Sequence, residues 1–341
     1  MAGFDEIFDQ DAAIDELRRA WKTGKLPHAF IFTGPPGVGK KLTANALATL
    51  FLCEHPAGDA SACGRCESCR GMAAGTHPDY HVVHRLLVRL LPDKSDHKAR
   101  DLATSVILEF LIVPAGRTAA RGRGKVFLVE EADLMNRDAQ NRLLKTLEEP
   151  VGPTLIILLT DQPEYLLPTV RSRSRIVRFA PLPEARIRKE LQARGASVED
   201  AADAARFAEG SLGLAAQWLD EGVIAAARTF LAQFEALPRG AGELSDQLMA
   251  YAKATAERRQ EADPDVALQQ ATRDALNTLL RIAANDYRRQ LRDADPATAE
   301  ALCAKIEAAL ATERYLEANV TPLLAVEHLV TTWSAASTAG V

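Results

Sequence analysis

No run of apolar residues in these 341 positions approaches the roughly 20 that a membrane-spanning helix needs, so a bilayer segment is excluded. The opening residues, Met1-Ala2-Gly3-Phe4-Asp5, lack the basic-then-apolar order of an export signal. Net charge is only −5, so no global field selects a polyanion, and any nucleic-acid contact has to be local. There is no short-period repeat and no long low-complexity linker. Cysteine is scarce and unevenly placed: of five, four fall between Cys53 and Cys69. That concentration argues against a secreted disulfide framework and for a metal site in a reducing compartment. The expectation is a cytoplasmic chain, long enough for two or three domains with separate cores.

What is present begins with Gly34-Pro35-Pro36-Gly37-Val38-Gly39-Lys40-Lys41. The pattern G-x-x-x-x-G-K-[S/T] wraps backbone N–H groups around phosphates, with its Lys on the β/γ-phosphates and its hydroxyl on Mg²⁺. Gly34, Gly39 and Lys40 are in place, but Lys41 stands where the hydroxyl belongs. An ammonium group cannot ligate Mg²⁺ and repels it. Thr43 comes two residues too late to replace that hydroxyl. The apolar run 29–33 predicts a buried strand entering the loop, and 42–52 predicts a helix leaving it, the context such a loop requires.

Short apolar runs at 80–84, 125–130, 155–159 and 176–179 predict four further strands. Between them, Asn136 or Asp138 caps a helix that Pro150 stops. This alternation implies an α/β fold with a parallel sheet. Past Pro181-Leu182-Pro183 the strand signals end and the pattern is helical: roughly 184–193, 198–209, 211–220, then a longer series to Trp333. Strand 125–130 ends in Glu130-Glu131, where Asp-Glu is usual beside a phosphate loop. Glu130 is a candidate metal-side carboxylate and Glu131 a candidate general base, although both can simply end a strand. Two departures at the Mg²⁺ position, Lys41 and Glu130, point to weak or absent hydrolysis.

Cys53, Cys63, Cys66 and Cys69 offer four thiolates within 17 residues, at a spacing that favours a closed, structural tetrahedral Zn²⁺ site. An iron–sulfur cluster also accepts C-x2-C-x2-C, but the upstream fourth ligand lacks the Cys-Pro pattern. Cys303, alone among helical residues, reads as a core residue. The segment 117–125 reads as a basic surface loop, or as a contact with DNA or nucleotide. Four arginines, Arg171, Arg173, Arg175 and Arg178, exceed what internal pairing readily satisfies. They form surface ion pairs or include a finger reaching a neighbour's phosphate.

Taken together, the loop, the four-Cys insertion after its helix, Glu130-Glu131, the run Asn141 to Pro150, Thr160 and Arg171-Ser172-Arg173 resemble the AAA+ clamp-loader family of bacterial DNA polymerase III, in its delta-prime branch. The resemblance covers roughly residues 25–180. It implies an AAA+ domain over 1–180 with the zinc module at about 53–69, a helical lid domain over 181–222 and a helical collar domain over 223–341. It also implies that Gly34, Gly37, Gly39, Lys40, Lys41, Glu130 and Thr160 surround a nucleotide, with Thr160 at the sensor position and Glu131 a vestigial base. Arg173 would be a finger acting in trans on ATP of an adjacent gamma/tau subunit, with Ser174 in the family's Cys place. Gly210-Ser211-Leu212-Gly213-Leu214 resembles the lid sensor region without its Arg. The implied role is a subunit of the DNA polymerase III holoenzyme, weak or inactive as an ATPase. It would sit beside gamma/tau and delta subunits, and the assembly would load the sliding clamp onto primed DNA. Zn²⁺ is then structural, ATP possible and Mg²⁺ doubtful. The alternatives are a self-competent gamma/tau-type ATPase and a zinc-dependent nucleic-acid-binding module. Acidic balance and the lack of an aromatic–basic stripe near the cysteines weigh against the last.

Overall fold

The computed structural model describes residues 3–92, 101–237, 241–262, 266–318 and 320–339. The chain divides into two compact units, Met1–Pro183 with Gly210–Gly213, and Glu184–Glu209 with Leu214–Val341. In the first unit β1 (Ala29–Thr33), β2 (Tyr80–Val83), β3 (Lys125–Val129), β4 (Thr154–Thr160) and β5 (Arg175–Arg178) form one parallel sheet in the order β2-β3-β4-β1-β5. The three central strands are buried along their whole length, which is why they read as unbroken apolar runs rather than alternating ones.

Side chains of a strand alternate between faces, and the two cores follow that alternation. Phe30, Phe32, Val126, Leu128, Leu155 and Ile157 pack with Ile14 and Leu17 of α1 (Asp11–Lys22) and Leu47 and Leu50 of α2 (Lys40–Leu52). Ile31, Phe127, Val129, Ile156 and Leu158 pack on the opposite face, against Val106, Ile107 and Leu111 and against Leu143 and Leu147. A short helix α3 (Glu67–Ala74) follows the cysteines, and Leu143 and Leu147 belong to α4 (Arg137–Glu148). Asn136 caps α4, its Oδ1 accepting from the Ala139 amide at 2.8 Å. The predicted strands and helices match these elements to within a few residues; α2 starts two residues before 42 because Gly39 (φ +106°) releases the backbone into the helix directly.

The basic segment is anchored from beneath. Asp79, buried at the start of β2, accepts from the Ala120 and Arg121 amides at 2.7 and 2.9 Å. Lys125 is no surface charge: it is buried, its ammonium donates to the Ala115 and Arg117 carbonyls, and burial lowers its pKa. Arg121 pairs with Glu67 at 2.5 Å, tying this segment to α3.

The second unit is helical throughout its described residues: α5 (Glu184–Ala193), α6 (Val198–Phe207), most of α7 (Leu212–Asp220), α8 (Val223–Glu235), α9 (Ala241–Ala262), α10 (Leu268–Gln290), α11 (Pro296–Glu317) and α12 (Pro322–Ala339). Trp333 fixes its core. The ring stands edge-on to Phe234 and Tyr287, at 4.5 and 5.5 Å between centroids, and its Nε1 donates to the Lys305 carbonyl at 2.8 Å. Cys303 is exposed on α11, not in the core as its isolation suggested; the apolar stripe of that helix runs through Leu302, Ile306 and Ala309 instead. No described helix is long and apolar enough to cross a membrane.

Replacing Asp79 with Ala orphans two amides and loosens the 117–125 segment. Urea unfolding of Asp79→Ala is expected to show a loss of about 1–3 kcal/mol. An unchanged midpoint would mean that the segment is held from elsewhere.

Candidate nucleotide and metal sites

Because the sheet is parallel, β1, β3 and β4 deliver their C-terminal ends to one edge, where Gly34, Glu130 and Thr160 stand. The loop from β1 into α2 has the shape its glycines permit. Gly34 (φ +146°) lies against the Phe179 carbonyl oxygen, and Gly37 (φ +69°) lies against Ser211 Oγ and Gly213; a Cβ at either would collide. The Gly213 amide donates to the Gly37 carbonyl at 3.1 Å, so the stretch 210–213 braces the loop through its backbone. The α2 N-terminus follows directly on this loop, the arrangement that favours phosphate.

Lys40 is folded back into the loop, donating to the Gly34 carbonyl and, at 2.8 Å, to Pro35. Burial lowers its pKa, and Asp161 and Asp133 partly offset that effect. Those two carboxylates were not singled out from the sequence, although Asp161 directly follows Thr160 at a strand end where such residues collect. Lys41 turns the other way and meets Glu130: Nζ and Oε1 are 2.6 Å apart. Thr43 cannot supply the missing hydroxyl, since its Oγ1 donates to the Gly39 carbonyl at 3.0 Å. The residues present therefore fit a phosphate chain but not a Mg²⁺ ion: the carboxylate that would face the metal already faces an ammonium.

Glu131 adopts a left-handed backbone (φ +52°) and pairs with Arg85 at 3.1 Å. Thr160 is buried, and its Oγ1 accepts the Gln162 amide at 2.9 Å. Arg173, in the turn before β5, places Nε 2.5 Å from Glu148 at the end of α4 and Nη1 3.1 Å from the Thr169 carbonyl. Arg175 reaches Glu16 at 2.5 Å. Internal pairing thus takes up at least two of the four arginines, more than their density suggested. The pairings of Glu148 and Arg85 carried no sequence signal, since each meets a partner set on a different element.

The four thiols converge. Cys53 ends α2, Cys66 caps α3, Cys69 lies one turn on, and Cys63 closes the set. Their sulfurs all lie within 4.8 Å of one another, with Cys53–Cys66 and Cys63–Cys69 at 4.0 Å. A tetrahedral ion with 2.3 Å metal–sulfur bonds needs edges of about 3.8 Å, so the set fits with little movement. Amides of Cys63, Cys66 and Cys69 donate to Cys53, Cys63 and Cys66 sulfurs at 3.3, 3.4 and 3.4 Å. Donation from the Arg65 and Cys66 amides lowers the Cys63 pKa to about 6, whereas burial raises those of Cys53 and Cys69. Glu54 braces the module by accepting from the Ser68 amide and hydroxyl, each at 3.1 Å. Four such thiols can bind a metal.

Strand order, phosphate loop and strand-end residues define an AAA+ P-loop fold with a four-cysteine insertion and a helical C-terminal region. The chain belongs to the family described as DNA polymerase III, delta subunit, whose pattern it matches over residues 9–183, just over half its length. It is 40% identical over 174 residues to DNA polymerase III subunit delta-prime of Pseudomonas aeruginosa, covering 51% of this chain and 49% of that protein. Over 170 residues it is 38% identical to the Escherichia coli subunit of the same name, covering 50% and 47%. The chain thus spans about half the length of these relatives. A gamma subunit-related DNA polymerase III protein of Thermotoga maritima shares the fold at 14% identity and a TM-score of 0.51, across 95% of this chain and 100% of that one.

Cys66→Ser is expected to lose the metal and lower the melting temperature, because thiolate–metal binding is coupled to folding. Elemental analysis of the purified chain checks it. Unchanged metal content would mean that the ligand set is wrong.

Proposed function

We propose that this chain is a delta-prime-type clamp-loader subunit that hydrolyses ATP weakly or not at all. It stands beside gamma/tau and delta subunits and presents Arg173 to a neighbour's ATP. The assembly then opens a sliding clamp and places it on primed DNA. The observation that carries this reading is the Lys41–Glu130 pair, because it leaves the chain's own loop without a metal-binding hydroxyl or a free metal-side carboxylate. Family membership supports the assignment of partners.

Arg173 supports the second half of the reading. Its side chain is 36% exposed, and Glu148 and Thr169 hold it rather than bury it. A guanidinium fixed in direction on the surface is suited to meet phosphate charge that develops in an adjoining subunit. The four cysteines hold Zn²⁺ in a structural role, since the closed thiolate set leaves no position for a substrate. Residues 181–222 act as the lid and 223–341 as the collar through which the subunit assembles.

Arg173→Ala should leave the chain folded and reduce ATP turnover by the reconstituted loader on the order of 10³-fold. Unchanged turnover would sink the finger assignment. For the chain alone, MgATP turnover should match that of Lys40→Ala. Clear turnover abolished by that substitution would instead make it a gamma/tau-type ATPase.

A further inference from the structure

The misfit at the magnesium position has a constructive side. An ordinary P-loop gathers two positive elements at the phosphates, its Lys and the ion, and the ion is kept by a hydroxyl and a strand-end carboxylate. Here Lys40 supplies the first element. Lys41, one residue on in the first turn of α2, brings a second cation to the same strand-end carboxylate, Glu130, at 2.6 Å. We propose that Lys41 takes the place of the divalent ion, so that the loop binds a nucleoside triphosphate without metal. This deepens the non-hydrolysing reading above: the chain would hold a nucleotide as a fixed part rather than as fuel.

Three observations carry it. The loop keeps the glycine conformations that a phosphate cradle uses, since Gly34, Gly37 and Gly39 have positive φ values and there is no room for a side chain at Gly34 or Gly37. The Lys41 end of the Lys41–Glu130 pair is open: its side chain is 59% exposed, while the Glu130 oxygen that it meets is buried. Its ammonium therefore remains within reach of a ligand while Glu130 sets its direction. Finally, Thr43 is committed to the Gly39 carbonyl, so no second hydroxyl waits to restore a metal site. A bound triphosphate would draw Lys40 from the Gly34 and Pro35 carbonyls, exchanging neutral acceptors for charged ones.

The test is fluorescence anisotropy of a labelled ATP analogue with the full chain, titrated in EDTA and in Mg²⁺, with turnover followed in the same samples. Wild type should bind in EDTA at least as tightly as in Mg²⁺. Lys41→Thr should weaken binding in EDTA by roughly tenfold or more, the worth of one charge-assisted hydrogen bond, and should recover it with Mg²⁺. Glu130→Gln frees the Lys41 ammonium and should tighten binding in EDTA; thermal melting verifies that both variants fold. Wild-type binding that requires Mg²⁺, no binding under either condition, or identical metal independence in Lys41→Thr would each overturn the proposal. Metal-free binding accompanied by Mg²⁺-dependent turnover would leave it standing and remove the non-hydrolysing reading instead.

Discussion

Parallel pairing of β1 with β4, and of β4 with β3, is the constraint on which the site depends. Register places Thr33 beside Thr160, so the turn into the phosphate loop and the end of β4 leave the sheet at the same level. The strand carrying Glu130 arrives at the same edge. None of these residues is near another in sequence, yet once three apolar strands run the same way their polar ends have nowhere else to emerge. The core thus decides where the chemistry can be. The residues at the edge decide whether it occurs.

At that edge, one side chain changes the electrostatics more than any rearrangement of the fold. A hydroxyl at position 41 would be neutral and would leave Glu130 facing solvent or a metal. The lysine present supplies a full charge, and the carboxylate turns to it. Glu131 is drawn off in the same manner by Arg85. Two acids that serve metal binding and proton transfer in working members of the fold class are both matched to cations of this chain. A loop with intact glycines and paired acids can thus depart from the chemistry of its fold class without any loss of sheet packing.

Much of this was legible in the sequence, for identifiable reasons. Strands buried on both faces must be apolar along their length, so 29–33, 125–130 and 155–159 stand out. Thiolates that share one ion must be close in the chain or be returned by a helix, and the spacing from Cys53 to Cys69 satisfies both. Departures from a fixed motif, Lys41 above all, are visible because the motif assigns each position a task. What stayed hidden were pairings set by tertiary distance. Glu148 meets Arg173 across 25 residues, and the inward turn of Lys125 depends on carbonyls of the preceding segment. The exposure of Cys303 is not legible either, because hydrophobicity alone does not say on which side of an all-helical bundle a small residue falls.

One helix connects the two sites. The 13 residues of α2 span about 20 Å, from the phosphate loop at Lys40 to the thiol that follows Leu52. Its dipole places roughly half a positive charge at the loop and half a negative charge at the cysteines. The first end favours an anion with no help from metal. The second opposes ionisation of Cys53, whose pKa burial already raises. Tyr80 of β2 donates to Asn45 midway along α2 at 2.5 Å, and Leu47 and Leu50 pack the helix against the sheet. A metal held by the cysteines would therefore be anchored at one end of the helix whose other end begins at the phosphate loop.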